Sequence, residues 1–154
     1  MISKILLVAF GLVVAVVGAA EPSRARPNVV VIMTDDQGLA DYSAYGTKDL
    51  RTPAIDRVFK EGMTFRNFYA NSCVCSPTRA ALLSGCYPDR VGVPGVIREE
   101  TPVNSWGWLS PRVQLLPKVI APAGYHSALI GKWHLGDAPP FLPTRHGFDS
   151  WFGL

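Results

Sequence analysis

Asn28-Val29-Val30-Val31-Ile32-Met33-Thr34-Asp35-Asp36-Gln37-Gly38 is the stretch on which the reading of the fold turns. Six residues rich in Val and Ile lie between Pro27 and an acidic turn. A short apolar run without alternation, bounded by turn residues, reads as a strand buried on both faces. Tyr125–Ile130 repeats the pattern and runs into Gly131-Lys132-Trp133-His134-Leu135-Gly136. Two such strands separated by helical segments predict an α/β fold with a largely parallel sheet. Both strands then end on the same edge of the sheet, where ligands bind in such folds.

The helical segments are well punctuated. Thr52 can cap a helix, Pro53 fits its first turn, Ile55, Val58 and Phe59 share one face, and Gly62 stops it. Met63–Tyr69 is predicted to be extended. A second helix starts with Ser76 as cap and Pro77 at its first position, and stops at Gly85; Leu115–Ala121 is a third. Residues 86–112, rich in Pro, Gly and Trp and without periodicity, read as irregular loop.

The first twenty residues differ from the rest. Lys4 precedes an apolar run, Ile5–Gly18, and Gly18-Ala19-Ala20 supplies small residues for cleavage. This is the layout of a secretory signal peptide, with an uncleaved anchor as the alternative. The run falls short of the ~20 residues a spanning helix needs. The organisation expected is therefore a signal at 1–20, a polar linker at 21–27, and a folded domain portion at 28–154, exported to a periplasm or secreted. No stable membrane partner is expected.

The chain has 154 residues, 48% hydrophobic and 18% charged, which suits one globular core and excludes disorder or coiled coil. Its net charge of +3 comes from scattered residues and carries no nucleic-acid footprint. The three cysteines, Cys73, Cys75 and Cys86, leave at least one thiol unpaired. Two residues of separation strain a bridge between Cys73 and Cys75, so a disulfide, if one forms, would join Cys73 to Cys86.

Three segments carry chemistry. In Cys75-Ser76-Pro77-Thr78-Arg79 a cysteine stands at a helix start, where backbone N–H groups favour an anion, and Arg79 lies one turn further in. A guanidinium fork matches sulfate or phosphate oxygens. A small buried Cys ahead of a Pro-started helix is the plainer alternative. Asp35-Asp36 follows the first strand. Adjacent carboxylates repel unless they share a cation, and oxygen-only donors favour Ca²⁺ or Mg²⁺ over zinc; alternatively the pair is a solvated acidic turn. Lys132 and His134 follow the second strand, a point charge for an anion and a proton donor for a leaving oxygen.

Taken in order, these segments resemble the formylglycine-dependent sulfatase family. Cys75-Ser76-Pro77-Thr78-Arg79-Ala80-Ala81-Leu82-Leu83-Ser84-Gly85 is similar to its Cys-x-Pro-x-Arg signature, with Thr at the fourth place. Residues 28–36 resemble its opening strand and first metal motif, Thr52-Pro53-Ala54-Ile55-Asp56 its next helix start, Gly124–Gly136 its second signature, and His146-Gly147-Phe148-Asp149 the segment after it. The resemblance implies an alkaline-phosphatase-like sandwich and sulfuric ester hydrolysis of the arylsulfatase type. It implies that Cys75 is oxidised to formylglycine by a formylglycine-generating or anaerobic sulfatase-maturating enzyme. It further implies that Asp35 and Asp36, with residue 75, hold Ca²⁺ (Mg²⁺ in second place), that Arg79 steadies the nucleophile, and that Lys132 and His134 contact it and the sulfate.

The family runs much longer, with further metal ligands, a His and a Lys in its later part. Trp151-Phe152-Gly153-Leu154 does not read as a domain end, so the chain is expected to be an N-terminal portion, inactive alone. The rival readings are a phosphonate or phosphate monoester hydrolase with the same nucleophile, and a non-catalytic truncated relative.

Overall fold

The computed structural model describes residues 26–98 and 107–154. The signal segment, residues 21–25 of the linker and the centre of the 86–112 loop lie outside the described residues. The chain divides into a unit ending at Thr34 and a second running from Asp35 to Leu154.

Within the first unit the expected strand at 28–33 is not formed. Val29, Val30, Val31 and Ile32 are 60–86% exposed and no strand includes them. Val and Ile set a preference for extended backbone, but a strand exists only where a neighbour pairs with its N–H and C=O groups. Among the described residues none pairs with these.

The second unit opens with two single 3-10 turns, Leu39–Asp41 and Ser43–Tyr45, and then helix α1, Pro53–Glu61. Thr52 precedes α1 and Gly62 ends it, as its sequence requires. The entry is held by side chains: the Asp56 carboxylate accepts from the Ser43 and Thr52 hydroxyls and from the Ala44 N–H. These bonds hold the Asp56 carboxyl below the usual carboxylate range, the Ser43 bond contributing most. Of the three apolar residues expected on one face, Phe59 meets Tyr42 and Tyr45 edge-on at 5.4 and 5.3 Å, while Val58 stays exposed. Met63–Tyr69 is non-helical, with a turn at Arg66-Asn67.

Helix α2 spans Cys75–Ser84 and ends at Gly85, whose φ of +68° suits a residue without Cβ. Its start is two residues earlier than the sequence suggests. Val74 is the cap position, Cys75 already lies in the helix, and Ser76 is fully buried inside the first turn. Ser76 was expected to cap because its type favours that place; tertiary packing instead gives its hydroxyl another partner.

The core gathers Ala80, Val91, Val93, Ile97, Leu109, Leu115, Trp133, Leu135 and Phe148. Four of these, Val91, Val93, Ile97 and Leu109, belong to the segment read as irregular loop. That segment contains a 3-10 turn, Pro88–Val91, and its two arms are tied by Ser110 N–H to the Val91 carbonyl at 2.9 Å. Burial here follows tertiary contact rather than any repeat, so periodicity could not reveal it.

Helix α3 is short, Leu116–Ile120, and continues as a 3-10 turn at Ala121–Ala123. Strand β1 covers Ala128–Ile130 and pairs in parallel with β2, Ser150–Phe152, in the register Leu129 opposite Trp151. The α/β class and parallel pairing are thus as expected, with two corrections. The second strand is shorter than Tyr125–Ile130, and it is not buried on both faces: Leu129 turns inward while Ala128 and Ile130 are exposed. One face of a two-stranded sheet meets the core, so burial alternates along the strand. The chain end, which carried no strand expectation, supplies the partner.

Candidate functional site

Asp35, Arg79 and Lys132 meet in space from three distant parts of the chain. Lys132 Nζ lies 2.7 Å from Asp35 Oδ2 and Arg79 Nη2 lies 3.2 Å from the same oxygen. Arg79 Nη1 donates to the Lys132 carbonyl at 2.7 Å. One carboxylate oxygen therefore gathers two cations, and the guanidinium also fixes the backbone of the segment after β1.

Local sequence explains each placement. Arg79 is four residues after Cys75 on α2, so both lie on one helical face, near the positive end of the helix. Its side chain is only 11% exposed. Lys132 leaves β1 through Gly131, whose φ of +108° turns the chain sharply at the strand end. The Lys132 hydrogen bond holds the Asp35 carboxyl below its usual range, with the Lys132 and Arg79 charges adding to it against a desolvation cost. In return Asp35 raises the proton affinity of Lys132 above the ordinary lysine value, and the charge at Cys75 adds to this. Cys75 is accordingly within electrostatic reach of Lys132.

His134 enters by another route. Its Nε2 lies 2.8 Å from the Ile97 carbonyl, and its Nδ1 is buried without a hydrogen-bond partner among the described residues. A carbonyl only accepts, so Nε2 carries a proton, and in the neutral ring the lone pair is on Nδ1. Backbone strain marks the same region. Among the described residues, only Asp36 and His134 are non-glycine residues with positive φ, +51° and +56°. Such conformations persist where surroundings impose them, and they cluster at functional sites.

The structure thus joins Asp35, Arg79 and Lys132 directly, with Cys75 one helical turn before Arg79 on α2 and His134 bonded to the Ile97 carbonyl. Asp36 is exposed, and among the described residues no hydrogen bond ties it to the cluster. The three cysteines are free thiols, Cys73 and Cys86 exposed, so the Cys73–Cys86 bridge does not form. Ser76 and Ile97 were missed as site residues. The hydroxyl of one suits a helix cap, and the backbone of the other lies in an aperiodic loop.

Asp35 and Asp36 suit a hard cation in kind, as adjacent carboxylates, but not in number. No three His, Cys, Asp or Glu side chains converge on one point among the described residues, and Ca²⁺ takes 6–8 oxygens. Asp35 is also already engaged by Lys132 and Arg79.

A lysine and a guanidinium gathered beside a helix start, on an α/β frame with parallel strands, form a setting suited to an anionic ester group, as in a class of ester-cleaving α/β proteins. The particular family follows from comparison: the Sulfatase family model matches residues 27–154, and the chain belongs to that family. It is 43% identical over 153 residues to N-acetylgalactosamine-6-sulfatase of Sus scrofa, covering 97% of this chain and 28% of that protein. It is 41% identical to steryl-sulfatase of Mus musculus over 143 residues, 88% of this chain and 23% of the relative. The crystal structure of Ps i-CgsB superposes with a TM-score of 0.76 at 33% identity, covering 84% of this chain and 28% of that one. The fold is therefore alkaline-phosphatase-like, and the chain spans less than a third of the length of these relatives.

Proposed function

We propose that this chain carries the nucleophile and the principal cationic cradle of a sulfate-ester hydrolase of the arylsulfatase type. The observation that carries the reading is the convergence of Lys132 and Arg79 on Asp35 beside the α2 start that holds Cys75. Residue 75 acts as the nucleophile after conversion to formylglycine by a formylglycine-generating or anaerobic sulfatase-maturating enzyme. A hydrated aldehyde there supplies an oxygen nucleophile and a second hydroxyl through which the sulfated form can release sulfate.

The chain's own residues do the rest. Lys132, whose charge Asp35 stabilises further, offers that charge to a sulfate oxygen. Arg79 is held by Asp35 and the Lys132 carbonyl, so its fork is oriented before substrate arrives. His134, with Nε2–H committed to Ile97, takes a proton on Nδ1 and passes it to the leaving oxygen. Asp35, Asp36 and residue 75 would contribute oxygens to a Ca²⁺ site completed by further ligands. Bound there, the ion would lower the cost of negative charge on the nucleophile and the transferring group. Residues 1–20 are read as the export signal that brings the chain to a periplasmic or extracellular setting.

Maturation and chemistry are tested together. Co-expression with a maturating enzyme should convert the peptide containing residue 75 to an aldehyde, seen by mass spectrometry, and leave Cys73 a thiol. The matured protein, taken as its own gene encodes it, should hydrolyse aryl sulfate faster than aryl phosphate. An unmodified Cys75 removes the nucleophile from the reading, and a preference for phosphate reassigns the protein to the phosphate or phosphonate monoester hydrolases.

A further inference from the structure

Ser76 is completely buried at the second position of α2, next to the nucleophile residue. Its Oγ accepts a hydrogen bond from the Ile97 N–H at 3.1 Å. The carbonyl of the same Ile97 accepts from His134 Nε2 at 2.8 Å. Ile97 is itself 5% exposed and packed in the core. A single buried residue of the 86–112 segment therefore joins the helix start bearing Cys75 to the imidazole after β1, using both of its backbone polar groups.

We infer that Ser76 is a positioning residue for His134, acting through the Ile97 backbone. The two peptide groups flanking the Ile97 Cα are fixed by one hydroxyl and one imidazole, so the position of one bond sets that of the other. The acceptor at Ile97 selects the Nε2–H tautomer and leaves the lone pair on the buried Nδ1. The anchor bears on a residue at φ +56°, a backbone conformation that persists where the surroundings impose it. Without the Ser76 acceptor the Ile97 N–H is a buried donor with no partner. The 96–98 backbone then shifts towards whatever water or protein group can receive it, and the Ile97 carbonyl moves off the imidazole. The effect on turnover rests on the proposed role of His134; the effect on tautomer does not.

The test uses the protein as its own gene encodes it, with residue 75 matured and activity normalised to measured aldehyde. Nitrogen NMR of labelled histidine, with His134 assigned by loss of its signals in His134→Asn, should show one neutral tautomer protonated at Nε2. In Ser76→Ala that signal should become a mixture of both tautomers. The kcat on an aryl sulfate should fall about 5- to 30-fold, with KM within about twofold, as expected for misplacement of a proton-transfer group. Ser76→Cys, which keeps the shape and a weaker acceptor, should fall between and decides the matter if the alanine variant does not fold. A Ser76 variant that folds and keeps the single Nε2–H tautomer overturns the inference, whatever its kcat. A wild type with the single tautomer, disturbed in Ser76→Ala, but no turnover of any sulfate ester leaves the positioning role standing and overturns the sulfatase reading instead.

Discussion

His146 gives the sharpest test of the packing beneath the site. Its imidazole is fully buried, and neither ring nitrogen has a hydrogen-bond partner among the described residues. It lies 5.9 Å from the Trp133 ring, and Trp133 is flanked in the chain by Lys132 and His134. Burial pushes the His146 pKa below the ordinary 6.5, and the Lys118 charge pushes it the same way. Because the folded state resists the proton, the unfolded chain binds it first. Stability is therefore full above about 6.5 and falls as pH drops below it, until the folded imidazole itself protonates. While it remains neutral, the loss grows by on the order of 1 kcal/mol for each pH unit between ~6.5 and ~5. His146→Leu removes the titrating group at similar volume and should cost under about 1 kcal/mol near pH ~7.5, since deleting an unpaired buried polar group is close to neutral. Urea unfolding of wild type and variant between those pH values measures both slopes. Other carboxylates and histidines titrate in both proteins, so the difference between slopes belongs to His146. Equal slopes would refute the assignment of a buried, proton-resisting imidazole.

Asp35→Asn should free Lys132 and Arg79 from their shared oxygen, return the Lys132 proton affinity towards 10.5, and reduce kcat/KM on the order of 100-fold, checked by lysine NMR beside kinetics. In the wild type the Asp35 charge, and with it the ion pairs, should persist above pH 3.8 and disappear as pH falls through the depressed Asp35 value. On the alkaline side Lys132 should hold its charge past 10.5, losing the pair only as pH rises through its raised value. Gly92→Ala should destabilise by about 2 kcal/mol or more. Gly92 has φ +88° and a Cβ there would lie 2.7 Å from the Trp108 carbonyl oxygen, so a shift in the urea midpoint reads the strain.

Much of the site was legible in the linear chain because its chemistry is carried by residue types at fixed local offsets. Cys75 and Arg79 are one helical turn apart, so the sequence alone places them together, and Pro53 and Gly62 bound α1 by their backbone restrictions. Lys132 and His134 were legible by their position just past an apolar strand.

What the sequence could not specify is everything that depends on a partner distant in the chain. Val and Ile at 29–32 favour extended backbone, yet no ladder forms there among the described residues, while Ser150–Phe152 becomes a strand because Ala128–Ile130 lies beside it. Ser76 has the chemistry of a cap and is drawn instead to the Ile97 N–H, and Val91, Val93, Ile97 and Leu109 are core without any periodic signature. A hydrogen bond or a buried face belongs to two groups at once. Sequence names the first of them, and only tertiary structure chooses the second.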